Sequence, residues 1–467
     1  MNSRTLDALE TAARSIIGRT RYHRLCPRWL RPLIHVFRLR DINRSSAQIM
    51  LALAGEIARQ DARIRDLETA AANPNHVFKP RILFDVTCTN LHDHKTGIQR
   101  VVRNLARELV RHPAPDTETV LVKIDDSGHL RHADDFAAKL GLPARAEPAL
   151  ACIVPRPDDT LVIIDGGWLL TDSYEQAARR VNVAGGVTIG VVHDLIPLNM
   201  RHLVPAAGAA NFKQWLDMFL RNCSGLVCVS QTVAGDLRRH LAAQPPFADL
   251  PVAHFHLGHS PEEFADTPAS PSRKPGRVDR LRRAGGTLVL MVGTLETRKA
   301  HDHALDAFER LRANRADIVL CIVGTGTWDP PPVVERIRRH PELGKKLFWL
   351  NDCDDAELHQ LYRAADALLF ASLAEGFGLP LLEAAAVGLP IICSDLPVFR
   401  EICGDHATYH RAGDPASLAE TLEHWMRLKS EGRAPSSRDM PRLSWRESAA
   451  MLGDTVARLS AARQPAA

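Results

Sequence analysis

From residue 80 onward, short runs of β-branched and apolar residues alternate with helix-length segments. Arg81–Thr87, Thr119–Ile124, Thr160–Asp165, Val187–His193 and Gly225–Ser230 read as strands. Ile98–His112 reads as the first long helix. A second series follows, with strands at Thr287–Val292, Ile318–Val323, Lys346–Leu350, Ala367–Ala371 and Pro390–Ser394 and a terminal helix at Trp445–Ala461. Between the two series, residues 267–279 are rich in Pro, Ser and Arg and read as a linker. Strand–helix alternation predicts parallel, doubly wound sheets, so the expected body is two α/β domains with a cleft between them. Ligands of such sheets bind beyond the carboxyl ends of the strands.

The first 79 residues follow other periods. In 14–44, nine Arg stand against the single acid Asp41, with Leu25, Trp29, Leu33 and Val36 at helical spacing. That segment reads equally as one that lies on an anionic membrane surface and as a solvated basic tail; Pro27 and Pro32 interrupt the helix the first reading needs. Residues 46–72 place Met50, Leu53, Ile57, Ile64 and Leu67 at heptad positions, a pattern for self-association or for packing on the chain itself.

Composition narrows the class. Of 467 residues, 45 % are hydrophobic and 24 % charged, as in ordinary globular proteins. The net charge of +4 is small for this length and gives no reason to expect nucleic acid as a partner. No apolar run reaches the roughly 18 residues of a membrane span. The nine Cys stand singly and read as reduced thiols, which points to the cytoplasm. His92/His94, His254/His256 and His301/His303 lack zinc spacing and read as exposed loop histidines.

The richest stretch for chemistry is Glu375-Gly376-Phe377-Gly378-Leu379-Pro380-Leu381-Leu382-Glu383, between a predicted strand and a predicted helix. Its glycines permit a tight turn, Pro380 suits a first helical turn, and the free N–H groups of the helix start favour an anion. Two carboxylates flanking an anion site are better suited to hydroxyls on either side of it, as in a ligand with sugars at both ends of a phosphate group. Gly293-Thr294-Leu295-Glu296-Thr297-Arg298-Lys299 also follows a strand, and adjacent Arg and Lys in a loop can bracket a diphosphate. His193 closes a first-domain strand, and Gly97 lies between the first strand and first helix. Asp352-Cys353-Asp354 has a metal-like spacing, but Asp354 and Glu357 form a capping pattern and predict a helix start instead.

These residues resemble the large family of retaining, nucleotide-sugar-dependent GT-B glycosyltransferases, among them many bacterial mannosyltransferases. TGIQRVVRNL (96–105), VVHDLIPL (191–198), VGTLETRKAHDHALDAF (292–308) and FASLAEGFGLPLLEAAAVGLPIICSDLPVFREICGD (370–405) carry the resemblance, which spans about 80–460. It implies two Rossmann-like domains: an acceptor domain over 80–266 and a nucleotide-sugar domain over 286–440, joined by a linker over 267–285. A basic segment (1–45) and a heptad segment (46–79) would precede them as a helical extension, and a helix and tail (441–467) would follow. It further implies that Arg298 and Lys299 bind the donor diphosphate. Glu375 would contact the transferred sugar, and Phe377, Gly378 and Leu379 would offer backbone N–H groups. Glu383 would hold the ribose, His193 would sit by the transferred sugar, and Gly97 and Gly293 would line the nucleotide path. The family typically uses neither a cofactor nor a divalent metal. The expected reaction moves a hexose, foremost mannose from GDP-mannose, to a glycan or lipid-linked acceptor of a cell-surface polysaccharide or lipopolysaccharide. It would take place in the cytoplasm or at the inner face of the membrane. A non-catalytic scaffold of the same fold and a sugar-nucleotide epimerase are the alternatives.

Overall fold

The computed structural model describes residues 79–94, 96–143, 152–260, 276–314, 316–326 and 332–462. The basic segment over 14–44 and the heptad segment over 46–72 lie outside the described residues.

The first lobe is built on parallel strands β1 (Arg81–Asp85), β2 (Glu118–Ile124), β3 (Asp159–Ile163), β4 (Val187–Val192), β5 (Gly225–Cys228) and β6 (Val252–His254), lying side by side in the order β2-β1-β3-β4-β5-β6. Ile82 pairs with Thr119 on one side and Thr160 on the other. All five residues of β1 are buried, as expected of a central strand covered on both faces. One of them is Arg81, whose guanidinium forms a two-pronged bond with Asp159 at 2.7 Å per prong, so neither charge is buried alone. Helix α1 (Gly97–Arg111) starts at a capping box. Thr96 Oγ1 accepts the N–H of Gln99, and the Gln99 side-chain oxygen accepts the N–H of Thr96. Its Val101, Val102, Leu105 and Leu109 are buried.

The second lobe repeats the plan with β7 (Thr287–Val292), β8 (Ile318–Val323), β9 (Leu347–Leu350), β10 (Ala367–Phe370), β11 (Ile391–Ser394) and β12 (Ala407–His410), in the order β9-β8-β7-β10-β11-β12. In both sheets the order reverses beside the first strand. The crevices at these reversals lie beyond β1 and β3 in one lobe and beyond β7 and β10 in the other. The loops that leave those four strands carry Gly97, Asp165, Gly293–Lys299 and Ser372–Gly378.

Some boundaries differ from the sequence expectation. The first strand stops at Asp85 rather than Thr87. The Asp85 carboxylate accepts the N–H and hydroxyl of Thr87, and a short helix, Thr87–Leu91, starts there. The expected linker over 267–285 is helical over Arg277–Arg283, where Leu281 is buried and Arg277 pairs with Asp352 at 2.8 Å. The helix Trp445–Ala461 forms as expected, but it packs back on the first lobe. Ser448 Oγ donates to the His256 carbonyl at 2.7 Å, and the hydroxyls of Thr160 and Ser460 lie 3.1 Å apart. Among the described residues no helix is long and apolar enough to cross a membrane.

Candidate active site

The loop after β10 makes the helix start that the sequence predicts. Gly378 has φ +113°, a conformation that favours glycine, and helix α2 (Leu379–Ala386) begins directly after it with Pro380 in its first turn. The first N–H groups of this helix have no partners within it and carry its positive dipole end. Phe377 is buried, with its ring edge-on to His256 at 5.8 Å between centroids.

Glu375 is held between the two cations of the loop after β7. Arg298 Nη1 donates to Oε2 at 2.9 Å, Lys299 Nζ to Oε1, and Ser372 Oγ also to Oε1 at 2.8 Å. Arg298 Nε donates to Glu296 at 2.8 Å, and the Arg298 carbonyl accepts the N–H of Leu373 at 2.8 Å, tying the two loops together. Burial would raise the Glu375 carboxyl, but Lys299 and Arg298 outweigh it and hold it at about 2. Burial lowers Lys299 despite Glu375, and Arg298 is raised because Glu375, Glu296 and Asp194 overcome its burial. Gly293 directly follows β7 beside the Lys299 stem, and its N–H bonds the Val323 carbonyl at 2.9 Å.

Glu383, one turn into the helix after Gly378, is buried, with both oxygens engaged. Tyr362 OH donates to Oε2 at 2.5 Å, and Arg100 of the first lobe pairs with Oε1. The first lobe also meets the Gly376 loop directly. Ser230 Oγ donates to the Gly376 carbonyl at 2.9 Å. The Gly376 backbone lies so close to His193 that a Cβ there would collide with the His193 carbonyl oxygen. His193 Nε2 is 2.8 Å from the Ile164 carbonyl, which only accepts, so that nitrogen carries the proton; burial lowers the ring's pKa. Gly97 opens α1 onto free space, where an added methyl group would meet nothing within 4 Å. Asp165, Trp168, His193, Asp194 and Phe212 line a hollow in the first lobe.

The structure thus gathers Arg298, Lys299 and Glu375 into one cluster and sets His193 against Gly376. It ties Glu383 to the helix that Gly97 begins. The sequence reading missed Arg100, Tyr362 and Ser372, and singled out Asp194 only as the neighbour of His193. Arg100 carried a signal, because a cation in the first turn of a helix opposes its dipole. Tyr362 and Ser372 are ordinary core residues in sequence terms.

Of the three histidine pairs, His92 and His94 are exposed in a loop as expected, and the other two are not. His301 starts the helix His301–Ala313 and is buried with both ring nitrogens unpartnered; burial, with Lys299 nearby, lowers it to about 3. His256 Nε2 lies 2.7 Å from Glu401, which also accepts the backbone N–H groups of Gln231 and Thr232. Asp354 caps the helix Asp355–Ala364 by accepting the Glu357 N–H at 2.8 Å, as its sequence pattern predicts. Among the described residues no group of three or more His, Cys, Asp or Glu is placed to hold a metal ion.

Residues 274–439, which carry Arg298, Lys299, Glu375 and Glu383, match the family described as "Glycosyl transferases group 1". Residues 274–439 therefore form a domain of this glycosyltransferase family. It is 34 % identical to the serotype-specific mannosyltransferase WbdA of Escherichia coli over 381 residues, 80 % of this chain and 46 % of that protein. It is 31 % identical over 139 residues to the O-antigen chain mannosyltransferase B of E. coli, 30 % of this chain and 36 % of that one. The chain spans a little under half the length of the WbdA relatives it matches. Among solved structures, Anabaena Alr3699/HepE in complex with UDP and glucose aligns with TM-score 0.58 at 14 % identity, covering 81 % of this chain and 99 % of that one. Sucrose-phosphate synthase from Thermosynechococcus elongatus aligns with TM-score 0.57 at 15 % identity, covering 82 % of this chain and all of that one. These likenesses give the fold, GT-B: two doubly wound α/β lobes.

Proposed function

We propose that the chain transfers a hexose, foremost mannose from GDP-mannose, to a glycan or lipid-linked acceptor in the assembly of an O-antigen or related cell-surface polysaccharide. The observation that carries this reading is the Glu375–Arg298–Lys299 cluster beside a helix start, with Glu383 one turn into that helix. The mannosyltransferase likeness over 80 % of the chain supports the choice of sugar.

Glycosyl transfer leaves negative charge on a departing nucleoside diphosphate and oxocarbenium character on the sugar. In this reading, Arg298, Lys299 and the N–H groups of Phe377, Gly378 and Leu379 stabilise the leaving group from fixed positions, without a metal. Glu375 receives hydroxyls of the transferred sugar, and Glu383 those of the ribose. Gly97 and Gly293 allow the nucleotide close passage. His193, neutral and fixed by Ile164, lines the sugar's seat on the acceptor side. The C1–phosphate bond breaks as the acceptor oxygen attacks the same face. The leaving phosphate takes the acceptor's proton, and the configuration is retained.

The test is transfer from GDP-mannose, set against UDP-glucose and other donors, together with thermal unfolding in the presence of GDP, UDP, ADP and dTDP, with and without magnesium. Saturation at 100-fold over Kd stabilises the fold by about 2.7 kcal/mol. A shift with GDP alone supports the donor assignment. A shift with another nucleotide replaces the donor. No shift with any favours a scaffold role. Donor consumption without an acceptor, giving an isomerised sugar nucleotide, favours an epimerase.

A further inference from the structure

All the cations gathered at this site are engaged by carboxylates. Arg298 and Lys299 are satisfied by Glu375 and Glu296 within the second lobe, and Arg100 reaches from the first lobe to Glu383. Two cations and two carboxylates make the loop cluster neutral, so as it stands it offers a multiply charged diphosphate little net attraction. The two carboxylates assigned to sugar hydroxyls, Glu375 and Glu383, are those that now hold the cations. The same arrangement therefore occurs twice, once on the side of the transferred sugar and once on the side of the ribose.

We propose that Arg100 is a third diphosphate-binding cation, supplied by the opposite lobe and stored on Glu383 until the donor arrives. This inference rests on the donor-site reading above. Tyr362 fixes one oxygen of Glu383, so the oxygen held by Arg100 is the one a ribose hydroxyl must share or take. A hydroxyl donor there keeps the carboxylate satisfied and releases the guanidinium. Arg100 lies in the first turn of α1, whose start at Gly97 opens on free space, and its side chain is a quarter exposed, so it has room to move. A diphosphate is the partner that compensates a guanidinium leaving a carboxylate, because both offer oxygen pairs to its planar fork. Donor binding is then an exchange of partners. Hydroxyls replace cations on the carboxylates, and phosphate oxygens replace carboxylates on the cations.

The test compares a nucleoside diphosphate with its nucleoside. The full chain and its R100A and R100K variants are titrated calorimetrically with GDP and with guanosine, and thermal unfolding checks each fold. The proposal expects R100A to lose about tenfold or more in GDP affinity while binding guanosine as well as or better than the wild type. R100K, a point charge in place of a fork, should fall between them and carries the test if R100A does not fold. Equal losses for both ligands would make Arg100 a structural strut and overturn the proposal. Unchanged GDP binding, or tighter GDP binding in R100A, would also overturn it, the latter by showing that Arg100 only obstructs the ribose seat. If the wild type does not bind GDP, the pairs UDP and uridine and ADP and adenosine replace it. A wild type that binds none of the diphosphates refutes the donor site itself, an outcome distinct from failure of the Arg100 exchange.

Discussion

Gly376 and His193, 183 positions apart in sequence, lie in backbone contact, and the carbonyl oxygen of His193 fills the space where any other residue at 376 would place its Cβ. The contact joins the carboxyl end of β4 to the loop that carries Glu375. G376A forces one of the two loops to shift. Overpacking of this kind costs about 1–3 kcal/mol, so thermal unfolding should move down and turnover should fall with it. An unchanged melting temperature with full turnover would show that the loops do not touch in the working protein.

Lys299 and Glu375 are bonded to each other but serve different parts of the proposed donor. K299A removes a phosphate partner and should weaken GDP binding about tenfold or more. E375A removes a sugar partner and releases two cations toward the phosphates. Its GDP affinity should hold or rise while turnover from GDP-mannose collapses. Calorimetry and steady-state rates on the two variants separate these effects. K299A with unchanged GDP affinity would remove the loop after β7 from the donor site.

Glu401 joins the lobes at a second place. Its oxygens accept from the N–H groups of Gln231 and Thr232, from the Thr232 hydroxyl at 2.6 Å and from His256. Burial would raise its pKa, but the bonds from His256 and Thr232 outweigh it and hold it at about 2. A carboxyl lowered on folding stabilises above its ordinary 4.5, and that contribution is lost as pH falls from 4.5 toward 2. E401Q should therefore cost about 1–2 kcal/mol at pH 7, and its deficit against the wild type should narrow below pH 4.5. Melting curves across pH 3–8 test both parts; a deficit that does not change with pH would assign the loss to shape rather than charge.

Asp85 shows the opposite sign. It is fully buried, and burial followed by the charge of Asp165 pushes its carboxyl up to about 7, against the bonds from Thr87 and Tyr174. Because the folded carboxyl keeps its proton to higher pH than the unfolded one, its contribution is complete below about 3.8 and lost as pH climbs toward 7. D85N, neutral throughout, should gain on the wild type by about 2 °C or more in melting temperature between pH 5 and pH 8. A constant difference would show that Asp85 titrates in the ordinary carboxylate range.

Much of this architecture is legible in the residues. Leu288–Val292 and Ile318–Val323 are uninterrupted apolar runs followed by glycine, and the strand limits predicted around them match the structure. The strands Val252–His254 and Ala407–His410 are not legible in the same way, because three or four half-polar residues give no period to read. The site divides likewise. Arg298, Lys299, Glu375 and Glu383 stand in two short loops, where local spacing reveals them. The Arg100–Glu383 pair joins residues 283 apart, and its existence depends on how the lobes meet rather than on any local pattern.

The helix Trp445–Ala461 buries Trp445, Leu452 and Val456, and its Gly453 packs beside Leu109 of α1. The first lobe is therefore assembled from chain made before the second lobe and chain made after it. On the ribosome, strands β1 to β6 emerge long before the helix that covers them. The second lobe can mature while the first still exposes an apolar face. The first lobe's side of the cleft is then the last part of this body to set, and the second lobe's side waits for it.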